Sequence, residues 1–164
     1  MTEPLTFKFD DDGAIPNSRL PLLVYRDAVP ADAAKIEDVF AANHWPPAWR
    51  AGVHPFHHFH STAHEVLGVA RGKASILFGG PGGTVLTVQA GDVVVVPAGV
   101  GHCNLDQSGN LLIVGSYPDN GPGPDLRRGK LAEHDAAQRA IGAVPLPSSD
   151  PVQGVNGALA GLWR

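Results

Sequence analysis

The stretch that decides the fold is GVHPFHHFHSTAHEVLGVARG, residues 52–72. Five of the eight histidines in the chain lie inside this stretch, within the eleven residues 54–64. Alternate side chains of an extended strand share a face, so His58 and His60 are predicted to point the same way. Two imidazoles on one strand face can hold a single metal ion. A metal site is therefore the first functional hypothesis.

Two further residues complete the predicted ligand set. Glu65 follows His60 by five residues, where a hairpin would bring the start of the next strand alongside. The segment GDVVVVPAGVGH, residues 91–102, places His102 after a strand and a turn. Three imidazoles and a carboxylate suit Fe(II), Mn(II), Ni(II), Cu(II) or Zn(II), whereas Ca(II) and Mg(II) prefer oxygen ligands alone. The predicted ligands of one divalent transition metal ion are His58, His60, Glu65 and His102.

Both segments resemble the two signature motifs of the cupin superfamily. The first motif reads Gly52-x5-His58-x-His60-x4-Glu65-x6-Gly72, and the second reads Gly91-x5-Pro97-x-Gly99-x2-His102. The chain departs from the family pattern at Asp106, where cupins often carry an asparagine. Further similarity across most of the chain is to the YjlB-like group of small single-domain cupins. The resemblance implies a β-barrel with a metal pocket, without a settled reaction.

The spacing of elements agrees with an all-β fold. Short strands are predicted, separated by Gly-rich turns, at residues 20–25, 56–60, 65–70, 74–78, 85–88, 93–96 and 111–117. Such a series favours a sandwich or barrel. Apolar residues at helical spacing in 33–40 predict a short N-terminal helix, and a second short helix is predicted around 133–140. With the resemblance, the expected fold is a double-stranded β-helix, or jelly-roll barrel.

We expect one cupin domain over residues 1–164. Within it, residues 1–50 form the N-terminal strands and helix, 51–117 the metal-binding barrel core, and 118–164 a C-terminal arm. This length, with 43% hydrophobic residues, is enough to bury a core without disulfides. The long terminal extensions could exchange between subunits, and we expect a homodimer.

Composition excludes several classes of function. The longest nearly unbroken apolar stretch, residues 93–100, is too short to cross a bilayer. The chain has 12 Lys and Arg against 16 Asp and Glu, and no basic cluster larger than Arg127-Arg128, so we expect no nucleic-acid partner. The acidic start MTEPLTFKFDDDG does not match a secretory signal, and the lone Cys103 agrees with a reducing compartment. A cytoplasmic location is expected.

The predicted site leads to three functional hypotheses. The first is a mononuclear metal enzyme, dioxygenase-like and with iron favoured, that acts on a small metabolite. The alternatives are a metal-dependent isomerase and a non-catalytic cupin that binds a small molecule or metal. Glu65 either remains a ligand or is released transiently as a base. An apolar lining of the pocket is expected from Phe56, Leu67, Val69, Ile76 and Phe78.

The remaining histidines and aromatic residues near the motifs have open roles. His54 is compatible with a contact at the barrel mouth, whereas His57 and His64 are expected to point away from the pocket. Packing is the favoured role for the nearby aromatic side chains, Trp45, Trp49 and Tyr117. Arg50 could also line the mouth, and Cys103 is expected to be buried and inert. Gly68 and Gly72 are expected to permit a bend or the close approach of a neighbouring strand.

Overall fold

The computed structural model describes residues 2–164, which form nine strands and three α-helices. The strands are β1 Leu5–Phe7, β2 Leu22–Tyr25, β3 Pro47–Ala51, β4 Glu65–Arg71, β5 Lys73–Phe78, β6 Thr84–Gln89, β7 Val93–Val96, β8 His102–Gln107 and β9 Leu112–Ser116. The helices are α1 Ala33–Ala42, α2 His134–Ala143 and α3 Ala158–Leu162, and a single 3-10 turn, Leu131–Glu133, precedes α2.

The strands form two antiparallel sheets. The larger has the order β1-β2-β7-β4-β9-β3, and the smaller has the order β6-β5-β8. Strand β4 is central to the larger sheet, with β7 on one side and β9 on the other. Apolar side chains of both sheets share one buried cluster, which includes Leu67 and Val69 from β4 and Ile76 and Phe78 from β5. The chain is therefore mostly β and builds its main core between two sheets.

Helix α1 covers the other face of the larger sheet. The side chain of Asp32 caps the helix by accepting a hydrogen bond from the Lys35 N–H at 3.0 Å. Ile36 and Phe40 lie one turn apart and are fully buried against the sheet. A Cβ added at Gly68 would lie 2.7 Å from the Ile36 side chain and 2.9 Å from that of Phe40. The missing side chain of Gly68 thus allows helix α1 to approach the sheet closely. The sequence analysis expected a bend or a neighbouring strand at this position.

The C-terminal residues pack on the same face. Trp163 is buried, and its indole N–H donates to the Pro21 carbonyl at 2.8 Å. The Tyr25 hydroxyl donates to the buried Asp150 carboxylate. Asp150 also accepts the backbone N–H groups of Val152 and Gln153 at 2.8 and 2.9 Å. These contacts fix the last fifteen residues to strand β2 and to Pro21, which precedes it.

Several predicted elements differ from the structure. The predicted strand at 56–60 is wrong, because this segment makes only single bridges, His58 with His102 and Phe59 with Arg127. Strand β8 and helix α3 were not predicted, and the bounds of β1 and β3 were not given within the expected N-terminal strands. Among the residues described, 2–164, the helices are all too short or too polar to span a bilayer.

Candidate metal centre

The predicted ligands come from three separate places in the fold. His58 and His60 lie on the irregular segment before β4, while Glu65 begins β4 and His102 begins β8. His58 and His102 exchange backbone hydrogen bonds of 3.2 and 2.9 Å, which brings the first motif against the second. Phe59 lies between His58 and His60 in the chain, and its side chain points the opposite way, into a separate buried cluster. The alternation of side chains predicted for a strand therefore holds, although the segment is not one.

Each of the three histidines is held through its Nδ1 atom. His58 Nδ1 lies 2.9 Å from the Phe56 carbonyl oxygen, and His102 Nδ1 lies 3.1 Å from that of Val100. His60 Nδ1 makes the equivalent contact with the carbonyl oxygen of Asp125. A carbonyl oxygen only accepts, so each Nδ1 carries a proton, and each ring in its neutral form presents a lone pair at Nε2. Backbone contacts of this kind orient metal-binding histidines.

The free donor atoms converge. Ligand atoms of His58, His60 and His102 all lie within 4.8 Å of one another. Glu65 Oε1 lies 3.5 Å from His60 Nε2 and 3.3 Å from His102 Nε2. This oxygen is buried, yet it has no partner of good hydrogen-bond geometry among residues 2–164. A buried oxygen without a partner, facing imidazole nitrogens, is suited to bind a cation, so the three histidines could hold a metal ion.

The protonation of the site favours a cation. Burial, followed by the charge of His102, lowers the pKa of His58 to about 3, which keeps this ring neutral at pH 7. Burial alone would raise the pKa of Glu65, but its contacts with His102 and His60 outweigh burial and hold that pKa well below its ordinary value. Burial alone would lower the pKa of His60, but its contact with Glu65 outweighs burial and raises that pKa. The carboxylate therefore stays charged, and a metal ion would meet an anion together with ring nitrogens that release their protons on binding.

A cavity of about 290 Å³ opens beside these four residues. Its remaining lining consists of Trp49, Ala51, Gly52, Val53, His54, Leu67 and Tyr117. Only Leu67 of the expected apolar lining is present. Val69, Ile76 and Phe78 lie in the core between the sheets instead, and Phe56 packs beneath the guanidinium of Arg128, 3.6 Å from its ring centre.

Two aromatic residues join the site from strand β3 and from the end of β9. Trp49 and Tyr117, for which packing was the favoured role, both line the cavity. The Trp49 indole N–H donates to the Tyr117 hydroxyl at 2.9 Å. Burial, followed by the charge of Glu65, raises the pKa of Tyr117, so this phenol stays protonated at neutral pH. The available sequence signal for these two residues was that Trp and Tyr each carry a polar group on an aromatic ring, which suits them to a binding site.

The segment 123–127 fastens the loop that carries His60. Besides the contact of its carbonyl with His60, Asp125 accepts a hydrogen bond from the Ser61 N–H at 2.6 Å through its carboxylate. The Thr62 hydroxyl donates to the Gly123 carbonyl at 2.7 Å. Phe59 and Arg127 exchange backbone hydrogen bonds of 3.0 Å in both directions. Sequence analysis missed this segment, because no motif links it to the histidines.

The other singled-out residues lie outside the cluster. His64 is buried on the side of β4 away from the cavity, where its ring lies 4.7 Å from that of Trp163. His57 is not part of the cluster. Trp45 is fully buried in packing, and Arg50 pairs with Glu37 at 2.6 Å instead of lining the cavity. Cys103 is buried, and burial raises the pKa of its thiol.

Two antiparallel sheets with a buried three-histidine cluster define a β-sandwich protein with a candidate metal centre. The family model described as "Cupin" matches residues 51–124. Over 162 residues, 98% of this chain and 97% of the relative, the sequence is 40% identical to "Uncharacterized protein YjlB" of Bacillus subtilis (strain 168). The chain belongs to the cupin family, in its YjlB-like group.

The solved structures that match this chain include two enzymes. A Bacillus subtilis oxalate decarboxylase variant is 20% identical with a TM-score of 0.38, and the match covers 70% of this chain and 29% of that one. An acireductone dioxygenase from Bacillus anthracis, with a cadmium ion in its active center, is 15% identical with a TM-score of 0.33. That match covers 66% of this chain and 56% of that one. The chain thus spans under a third of the first enzyme and about half of the second.

Proposed function

We propose that this cupin is a mononuclear metal-dependent enzyme acting on a small metabolite, with dioxygenase-like chemistry. The ligands are His58, His60, Glu65 and His102, and the ion is a divalent transition metal, with iron favoured over manganese, nickel, copper and zinc. The observation that carries the proposal is the convergence of the Nε2 atoms with the unpartnered Glu65 Oε1, at 3.3 and 3.5 Å from two of them. For the fold, the finer proposal is that the two sheets close as a double-stranded β-helix.

A bound divalent ion would supply Lewis-acid chemistry toward a coordinated enol, hydroxyl or thiol and, in the case of iron, electron transfer with dioxygen. The side chains around the site would bind and orient the substrate. The cavity volume of about 290 Å³ is at the low end for ligand pockets, which favours a compact substrate. Trp49, Val53 and Leu67 give that substrate an apolar wall that excludes water.

Tyr117 is placed to bind a polar group of the substrate. Its hydroxyl oxygen already accepts the Trp49 N–H, so its own proton is available for another acceptor. Glu65 is close enough to influence this phenol, and a substrate oxygen in the cavity would compete for the same proton. Glu65 either keeps its place as a ligand or accepts a proton from the substrate as a base.

The test begins with metal loading. The protein is purified from metal-limited medium, loaded anaerobically with Fe(II), Mn(II), Ni(II), Cu(II) or Zn(II) in turn, and analysed for metal per chain. Oxygen uptake is then followed against a panel of thiols, diketones and catechols. The Glu65→Gln variant serves as the site variant, and His44→Ala, at an exposed position, serves as its control.

Oxygen uptake by the iron form that is lost in Glu65→Gln and kept in His44→Ala supports the proposal. Turnover without oxygen uptake would identify the alternative isomerase, in which the ion only polarises a carbonyl. Metal or small-molecule binding without turnover by any metal form would overturn the enzyme proposal in favour of the non-catalytic cupin. Failure to bind any metal would overturn both the dioxygenase and the isomerase.

A further inference from the structure

A second cavity, of about 270 Å³, shares no lining residue with the cavity of the metal centre. Helix α2, the loop at 16–20 and the segment at 144–146 form its walls. The apolar lining is Pro16, Leu20, Ile141, Gly142, Val144 and Leu146. The polar lining is Ser18, Arg19, Gln138 and His64, with Asn17 beside them. None of these residues belongs to the site proposed above.

Asn17 is a buried polar group of this cavity, and its amide is satisfied by the Asp10 and Gly79 carbonyls and by the Gly101 N–H. His64 is the other buried polar group, with 3% of its surface exposed. The Ala98 backbone N–H donates to its Nδ1 at 2.9 Å. Nδ1 is therefore an acceptor, and in the neutral ring the proton lies on Nε2.

The Nε2–H of His64 has no acceptor among the residues described, 2–164. The Pro145 carbonyl lies near the ring but does not reach hydrogen-bond geometry with Nε2. Pro145 lies between Val144 and Leu146, which line the cavity, so Nε2 faces that wall. A buried donor without a partner costs about 1–3 kcal/mol, and proteins keep few of them.

We infer that this cavity binds a small carboxylate with a compact apolar body. A carboxylate oxygen accepts the Nε2–H of His64, and the apolar body packs against Leu20, Ile141 and Val144. Arg19 at the rim supplies a guanidinium that favours an anion over a neutral carbonyl compound. One nitrogen of that guanidinium donates to the main-chain oxygen of Arg164. The inference does not depend on the metal centre.

Gly142 offers a way to close the cavity without disturbing the fold. A Cβ added at this position meets no atom within 4 Å, although the residue lines the cavity. A leucine at position 142 would extend into the cavity and is also a better helix former than glycine. Ala136 is exposed on the same helix and does not line the cavity. Gly142→Leu is thus the blocking variant, and Ala136→Leu is its matched control.

The experiment titrates 4-methylpentanoate, benzoate and phenylacetate separately into the full chain, with the histidine rings labelled for NMR. The His64→Gln variant assigns the His64 resonances. We expect a saturable shift of the His64 ring resonances with at least one carboxylate. The ring resonances of His58, His60 and His102 should show no comparable shift. Affinity falls at least tenfold in Gly142→Leu and stays within twofold in Ala136→Leu.

Three results would overturn the inference. One is the absence of a saturable His64 shift with all three carboxylates. Another is unchanged binding in Gly142→Leu, which would place the ligand elsewhere. The third is equal binding of 4-methylpentan-1-ol, which would show that the carboxylate is not recognised. Metal content, measured on the same samples, stays unchanged throughout, so failure here is distinct from failure of the metal centre.

Discussion

The carbonyl oxygen of Asp125 accepts a hydrogen bond from Nδ1 of His60, a residue 65 positions earlier in the chain. The same aspartate binds the loop around His60 through its carboxylate, which accepts from the Ser61 N–H at 2.6 Å and from Arg127 Nε at 3.0 Å. A residue outside both cupin motifs thus sets the orientation of one predicted ligand.

Loss of the Asp125 carboxylate should weaken the metal centre. Asp125→Ala keeps the backbone carbonyl but releases Ser61 and Arg127, so the His60 ring is less firmly oriented. Loss of partners behind the ligands typically lowers metal affinity 10–100-fold, and we expect about tenfold here. Competition with a chelating dye measures this affinity. Asp119→Ala, which removes an equal charge at an exposed position, is the control.

Normal affinity in Asp125→Ala would show that the Asp125 carboxylate is not needed to orient His60. An equal loss in Asp119→Ala would attribute the effect to net charge alone.

Removal of one predicted ligand should empty the centre while leaving the chain folded. His60→Ala deletes a ring that faces the cavity and is not part of the core between the sheets. We expect loss of most bound metal with an unchanged circular dichroism spectrum. His44→Ala should retain full metal content, because His44 is exposed and pairs with Asp119. Full stoichiometric metal in His60→Ala would show that the ligand assignment is wrong.

The two-sheet fold could be predicted because its strands carry clear signals. Residues 65–70 and 93–96 are apolar runs between turns, and both fall within observed strands, β4 and β7. Strand β8, HCNLDQ, is polar over half its length because it lies at a sheet edge, so its sequence carries no apolar alternation. Strand β3, PAWRA, is mostly exposed and begins at a proline, which hides it for a similar reason.

The candidate site could be predicted only as far as local spacing reaches. The spacing of His58 and His60 is local, and so is the start of β4 at Glu65. The positions of Tyr117 and Asp125 depend on β9 and on the segment after it returning to the loop, which are long-range contacts without a periodic signature. The expected lining by Ile76 and Phe78 was wrong because those side chains fill the space between the sheets.

The buried His64 should make the protein less stable in acid. Burial lowers its pKa to about 4, whereas in the unfolded chain the ordinary value is about 6.5. Between these values only the unfolded chain takes up the proton. The contribution of His64 to stability is therefore complete above pH 6.5 and is lost as the pH falls toward 4.

The measurement is urea unfolding of chelator-treated protein at several pH values from 5 to 7. His64→Gln removes the titration while leaving an amide oxygen that can accept the Ala98 N–H. The wild-type free energy of unfolding should fall more steeply with acid than that of the variant, by up to about 1.4 kcal/mol per pH unit. Equal slopes would show that His64 is not held neutral by burial.

The approach of helix α1 to the sheet should depend on Gly68. In Gly68→Ala the added Cβ would lie 2.7 Å from Ile36 Cγ2 and 2.9 Å from Phe40 Cζ, and both partners are fully buried. The helix must move outward or the side chains must leave their preferred rotamers, which costs about 1–3 kcal/mol. Gly82→Ala is the matched control, because a Cβ there meets no atom within 4 Å.

Urea unfolding should show a lower midpoint in Gly68→Ala and little change in Gly82→Ala. Metal content should persist in both variants, because α1 packs on the face of β4 opposite the cavity; a Gly68→Ala protein as stable as wild type would mean that α1 packs less closely than described.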